Sequence, residues 1–326
     1  LKRKEPPLLK KKSLVLAKIE STYGIDPTPV AANDAILVTN PVAKPVGELL
    51  QRNHDRPSLS PLQHSIGMKE YEITFETELK GSGTCNAGGA TDIPEIDPLL
   101  QACGLAQTLT AETTGGAGDG SIVYDPASTG HKSVALYMYE DGIIKKILGC
   151  RGSMSANLEA GKHGILNWTF RGFYATPVDG AIASGAAYDN TAPQPFLSAA
   201  LTMGGYSAAV QSLAFDLANE IGKRIDANNA NGIAEFLITG RDTNGSLDPE
   251  AVTLAVNDFW SHWENSTSKV LSAQLGQTAG NIVLITAPAM VYREINPGDR
   301  NSVRTYDMPF TLAQSAGDDE LKLTFK

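Results

Sequence analysis

The sequence is short of the residues that staple a chain, span a membrane or carry metal chemistry. Three cysteines (Cys85, Cys103, Cys150) in 326 residues make neither a disulfide framework nor paired zinc knuckles, and suit a reducing compartment. No apolar run approaches the ~18 residues of a membrane helix. Charged residues are 19% and aromatics 7% of the chain. The 31 Gly and 18 Pro are too few for a collagenous or low-complexity polymer. What is present is a 42% hydrophobic fraction, enough for one or two cores in a chain about two domains long.

Charge is unevenly spread. Residues 1–18 carry seven Lys or Arg and one Glu, about +6, so a formal net charge of -9 leaves the rest at about -15. The apolar stretch Ser13–Ala17 ends at Lys18, too short for a secretory signal; a solvated or partner-docking arm is expected instead. An acidic body repels DNA, so DNA gripping is disfavoured.

Residues 68–80 alternate strictly. Tyr71, Ile73, Phe75, Thr77 and Leu79 face one way, and Glu70, Glu72, Thr74, Glu76 and Glu78 the other, a strand with one apolar and one acidic face. The Gly-rich stretches 81–90 and 113–120 lack the Lys-Ser/Thr of a phosphate loop and read as loops. Asp97-Pro98 opens a short helix with Asp as N-cap, closed by Gly104. Val134–Tyr139 and Ile143–Leu148 form a hairpin around Glu140-Asp141-Gly142; Arg151–Leu158 and Ile165–Tyr174 form the next. Pro177–Pro195 is a connector.

Beyond it the order recurs. Strands 212–220 and 232–240 precede Asp248-Pro249-Glu250, the expected opening of a longer helix through Trp263. Hairpins follow at 270–275/281–286 and at 289–295/303–312, the latter around Asn296–Asp299. The recurring order, offset by about 139 residues, points to a duplication of elements with little residue identity.

Catalytic constellations are thin. Asp258 and His262 have helical i, i+4 spacing but no third metal ligand. Asp242-x-Asn244-Gly245-x-x-Asp248 lacks the closing Glu of a calcium loop and reads as a turn. Trp260 and Trp263 suit a helix packed on a sheet. Paired carboxylates on the 68–80 strand lie in a polar row with nothing to raise one pKa. No nucleophile elbow appears. The chain reads as a non-enzyme, with no cofactor and no metal.

Several segments resemble bacteriophage major tail tube proteins of long flexible tails. They are Lys12–Gly24, Arg56-Pro57, Glu78–Gly83, Pro98–Gly104, Tyr139–Gly142 with Leu148–Gly152, Phe170–Tyr174 and Asp319–Lys326. Residues 179–312 match in element order alone. The resemblance implies a mainly β protein with two tandem β-sandwich or barrel domains, each with a flanking helix, and an extended N-terminal arm. The expected limits are 1–40 for the arm, 41–178 and 197–326 for the domains, and 179–196 for the linker.

It also implies a virion protein, assembled in the host cytoplasm, whose copies form rings stacked into a tube for DNA delivery. The duplication favours trimers of doubled subunits. Partners would be further copies, tail terminator and tail tip proteins, with the tape measure protein and genomic DNA inside and no membrane. Glu70, Glu72, Glu76 and Glu78 are then expected to face the bore, with Asp216 and Glu235 as second-half counterparts. Lys10, Lys11, Lys12, Asn53, His54 and Arg56 are expected at the contact between rings. The competing expectation is a carbohydrate- or receptor-binding β-sandwich, which calls for exposed aromatics.

Overall fold

The computed structural model describes residues 7–84, 93–111 and 120–326. Cys85, most of the 81–90 loop and most of the 113–120 loop lie outside these residues.

The chain opens with β1 (Ser13–Ile19), a short helix α1 (Ala31–Asp34), β2 (Ala35–Ile36) and the long pair β3 (Thr39–Leu50) and β4 (Ser65–Glu78). Helix α2 (Asp97–Ala102), β5 (Leu105–Thr110), β6 (Ser121–Pro126), β7 (Val134–Glu140), β8 (Ile143–Glu159) and β9 (Ile165–Phe173) follow. The connector holds β10 (Val178–Asp179) and leads to β11 (Thr202–Met203), β12 (Val210–Asp216), β13 (Asn219–Ile225), β14 (Ile233–Arg241) and β15 (Asn244–Pro249). The remainder is α3 (Phe259–Glu264), β16 (Lys269–Leu275), β17 (Val283–Tyr292), β18 (Asn296–Arg300), β19 (Val303–Ala313) and β20 (Lys322–Phe325).

The expected mainly β class holds, but no sheet of the described residues closes into a barrel. One layer contains β1, β2, β7, β10 and the first part of β8. The larger layer runs β3-β4-β9-β8-β12-β15-β19-β17-β16. Strand β8 serves both layers. Sequence punctuation predicts two strands over 143–158, but Gly149, at φ +64°, bends the chain there and lets one strand continue. The core lies between the layers, with Val15, Leu136 and Ile147 facing Ile73, Phe75, Trp168 and Phe170.

Two strand sets have the same pairing order. In the first, β4 pairs with β9, β9 with β8 and β8 with β7. In the second, β15 pairs with β19, β19 with β17 and β17 with β16. A helix lies between the first and second members of each set in sequence. The sets join edge to edge, β12 lying antiparallel on Ser155–Glu159 of β8.

Within the N-terminal 40 residues, expected as an arm, β1 pairs along its whole length with β7, and Leu14–Ala17 are buried. In the 179–196 connector, Ile182, Ala183, Ala186 and Tyr188 cover Leu14, Leu16, Tyr137 and Tyr139.

Several expectations are corrected. Asp97 is the first residue of its helix rather than the cap, and its carboxylate accepts from Gln101, Gln107 and Tyr124. Asp248-Pro249 ends a strand instead of opening a helix. Its carboxylate is taken by the Gln211 and Ser212 amides and by Arg300, while Leu247 continues the buried alternation. The helix starts at Phe259, and its N-cap Asp258 accepts from the Ser261 amide. The last hairpin turns at Asn301-Ser302, both at positive φ, because Asn296–Asp299 are already paired in β18.

Candidate assembly surface

Alternation along β4 separates core from surface as the sequence predicts. Tyr71, Ile73, Phe75, Thr77 and Leu79 are all buried, and Trp168 Nε1 donates to Thr77 Oγ1 at 2.8 Å. The carboxylate face divides. Glu70 is 4% exposed and meets Lys223 Nζ at 2.9 Å, so it is a covered ion pair and not part of a solvated row. Glu72 stands between Lys44 and Arg171, its direct cross-strand neighbours. Glu76 and Glu78 are half-buried and have Asn167 and Ile165 as their β9 partners.

Cross-strand partners share a sheet face, so the register traces rows across the larger layer. The row through Glu76 passes Asn167 on β9, Ser155 on β8, Asp216 on β12, Asn244 on β15 and Thr311 on β19. From Glu76 to Thr311 every member is polar and two are carboxylates; the row ends at Val291 on β17, where Arg293 Nε donates to Thr311 Oγ1 at 2.6 Å. The row crosses the junction between the strand sets without a break. Beneath it, Phe75, Trp168 and Met154 occupy one buried row and Leu166, Ala156 and Phe215 another. Asp216 therefore stands in one row with Glu76.

Glu235 does not. It lies on the separate β13–β14 ribbon, and its carboxylate meets Arg151 Nη1 at 3.1 Å and Arg224 at 3.6 Å. Arg151 is itself buried and donates to the carbonyls of Lys132, His131 and Phe236. Together with Phe236 N–H donating to Tyr23 Oη at 2.7 Å, these bonds strap the ribbon onto the first strand set. The sequence signal for Arg151 is a lone Arg in a strand that is otherwise largely apolar after Lys146.

Lys10, Lys11 and Lys12 are exposed, yet the segment is tied to its own chain. Lys12 Nζ lies 3.6 Å from Asp141, and Leu9 N–H donates to Asp141 Oδ2 at 2.8 Å. Asn53, His54 and Arg56 are exposed in the 51–64 loop that tips the β3–β4 hairpin. Leu59 in that loop is fully exposed, and Leu49, Leu50 and Ile66 below it are about half exposed.

The expected burial of Trp260 and Trp263 is not found. Phe259 fills the core contact, and both tryptophans face outward. Trp263 Nε1 donates to the Arg293 carbonyl at 2.9 Å. Asp258 is a helix cap, and among the described residues no group of three or more His, Cys, Asp or Glu is placed to hold a metal. Burial pushes the Cys103 and Cys150 thiols well above their ordinary range, which leaves them as core residues rather than nucleophiles.

What this geometry offers is a broad polar sheet face, a protruding hairpin and two strands, β3 and β18, that each have one strand partner among the described residues, which is the equipment of assembly. No curated protein matches the sequence. A family model described as phage tail tube protein matches residues 10–312. The match spans both strand sets and the junction between them, so the chain belongs to the phage tail tube protein family and is a structural component of the virion tail, assembled in the host.

Proposed function

We propose that copies of this chain close into rings, that the rings stack into a hollow tube, and that the polar face through Glu76 and Asp216 lines its bore. The carrying observation is that row, which runs from Glu76 to Asn244 with no cationic member and crosses from one strand set to the other on one sheet face. DNA carries one negative charge per ~1.7 Å of axis. A wall that is to pass it, not hold it, does best with short neutral side chains and carboxylates that repel the phosphates. Glu72 and Glu78 belong to the same face; Glu70 shares their side of β4 but is covered by Lys223, and Glu235 is ion-paired on the β13–β14 ribbon, so neither joins the proposed bore.

The shared pairing order of the two strand sets supports a duplicated subunit, and with it three copies per ring. Tape measure protein and genomic DNA would occupy the bore, with tail terminator and tail tip proteins at the ends. The 51–64 loop and the basic residues 10–12 would make the ring-to-ring contacts, the loop because it projects from the hairpin end. Negative-stain microscopy of the purified full chain tests the reading. Rings or hollow rods are expected, and isolated globules at all concentrations would overturn it.

A further inference from the structure

The junction inside one chain supplies a template for the junction between chains. Phe170 on β9 and Phe310 on β19 are both fully buried. Setting one on the other brings their direct partners into correspondence: Ile73 with Gly245, and Ala43 with Phe215, the residues paired to those. Four residues away, Leu166 falls on Tyr306, so Ala156 falls on Pro297. Burial agrees along the way, since Phe75 falls on Leu247 and Trp168 on Met308, all buried. Hence β3 is the counterpart of β12, and β18 of the last turn of pairing in β8. In the chain, β12 and that part of β8 are bonded to each other, with Phe215 opposite Ala156. Their counterparts are not: among the described residues β3 pairs with β4 alone, and β18 with β19 alone.

We propose that neighbouring copies meet as the two strand sets of one chain meet: β3 of one copy adds to β18 of the next. Asn40–Lys44 would run antiparallel to Asn296–Arg300, with Ala43 opposite Pro297 and Lys44 opposite Asn296. This rests on the ring reading above and names the partner surface that closes it.

The hydrogen-bonding side of each strand fits. Leu217 N–H donates to Met154 O and Ala160 N–H to Gln211 O, so the odd-numbered residues of β12 face β8. Their counterparts on β3 are Thr39, Pro41, Ala43 and Pro45. Proline is tolerated in a sheet where its nitrogen faces away from the existing partner, and Pro41 and Pro45 both do so here. On β18, Arg300 and Val303 flank the two-residue turn, which turns the groups of Pro297 and Asp299 outward.

In this register Ala43 N–H faces Pro297 O, and Asp299 N–H faces Pro41 O. The Ala43 carbonyl, which Pro297 has no N–H to serve, already accepts from Lys145 Nζ at 3.2 Å. The prolines thin the ladder and guard both edges against pairing in other registers.

Further contact comes from the arm. In the chain, β12 continues into β13, and the β13–β14 ribbon lies over the end of α2, where Asn219 Nδ2 donates to Cys103 O at 2.7 Å and Gly152 O at 2.9 Å. The counterpart of the ribbon is the outer part of the β3–β4 hairpin, with Leu49, Leu50 and Ile66 exposed. The counterpart of its seat is the end of α3, where Trp263 is exposed beside Arg293. The arm of one copy therefore covers the tryptophan face of the next.

The test is a cysteine pair, Lys44→Cys with Asn296→Cys, in a full chain carrying Cys85→Ser. Both positions are exposed and form a non-hydrogen-bonded pair in the proposed register, where side chains come closest. Oxidation of assembled material is expected to give a ladder of covalent oligomers ending at the whole ring, at least tenfold above a Glu48→Cys, Asn296→Cys control. Rings that form but do not cross-link above that control would overturn the junction and leave the ring reading standing. Absence of rings in the unmutated chain would overturn the ring reading itself. A second variant, Leu49→Asp, is expected to lose rings while the monomer keeps its thermal midpoint; rings at wild-type yield would also overturn the proposal.

Discussion

Glu76 and Asp216 belong to different strand sets, yet they stand on one row of one sheet face, joined through Asn167 and Ser155. The relationship exists because β12 adds to the edge of β8; without that junction the two carboxylates would belong to separate surfaces. It makes the two residues the natural pair for testing the bore.

Reversing both charges, Glu76→Lys with Asp216→Lys, is expected to leave tube assembly intact and to lower genome delivery by about tenfold or more, through attraction to passing phosphates. Glu76→Gln with Asp216→Asn should fall between. Phage yield and DNA release, measured beside tube counts, check this; equal delivery from the reversed variant would remove these residues from the bore.

Arg151→Met should destabilise the chain by about 3–5 kcal/mol, the usual cost of removing one partner from a buried pair. It leaves Glu235 and the Phe236 carbonyl without their donor. Arg151→Lys should recover less than half, because one ammonium does not reach acceptors now served by three nitrogens. Urea unfolding midpoints measure both.

Burial raises the pKa of Asp97 above its ordinary 3.8, against the lowering effect of hydrogen bonds from Tyr124 and Gln101. Its folded value is raised, so its contribution to stability is full below pH 3.8 and is lost as pH rises through the folded value. Asp97→Asn should therefore gain on the unmutated chain as pH rises through that window, in thermal midpoints taken from pH 3.5 to 7. Asp97→Ala should lie about 1–3 kcal/mol below Asp97→Asn at every pH, because it strands the buried Tyr124 hydroxyl.

Gly280 sits at φ +85° with a backbone carbon of Gly83 2.7 Å from where a Cβ would stand, and its carbonyl accepts from Gly83 N–H. Gly161 has a similar φ, +80°, and open space around it. Gly161→Ala should cost about 1–2 kcal/mol from backbone strain alone. Gly280→Ala should cost clearly more, because strain and a main-chain collision add. Equal costs would show that the crossing of these two loops yields easily.

Truncation separates the arm from the core. Removing residues 1–11 should leave a folded chain whose tubes are shorter or less stable, while removing residues 1–18 should leave no folded protein, since Leu14–Ala17 are buried in β1. Circular dichroism and tube length by microscopy check the two halves of the statement.

Local patterns in the sequence carry far. The alternation from Tyr71 to Leu79 marks a half-buried strand, and Asp141-Gly142, with both residues at positive φ, marks the β7–β8 turn. These features are legible because period-two burial and turn chemistry are decided within a few residues. Asp248-Pro249 misleads for the complementary reason. Its helix signal is local, but the amides of Gln211 and Ser212 and the guanidinium of Arg300 claim the Asp248 carboxylate, and those groups come from distant strands.

The acidic row shows the same division. Sequence alone determined that Glu70, Glu72, Glu76 and Glu78 share one side of a strand, because successive side chains alternate. Only the tertiary structure decided that Glu70 is covered by Lys223, that Glu235 is bound to Arg151 on another ribbon, and that Asp216 joins Glu76. A strand's own residues dictate its two faces, but which edges meet, and which charges a neighbouring element covers, depend on main-chain hydrogen bonds and packing between segments far apart in the chain. No local pattern encodes those.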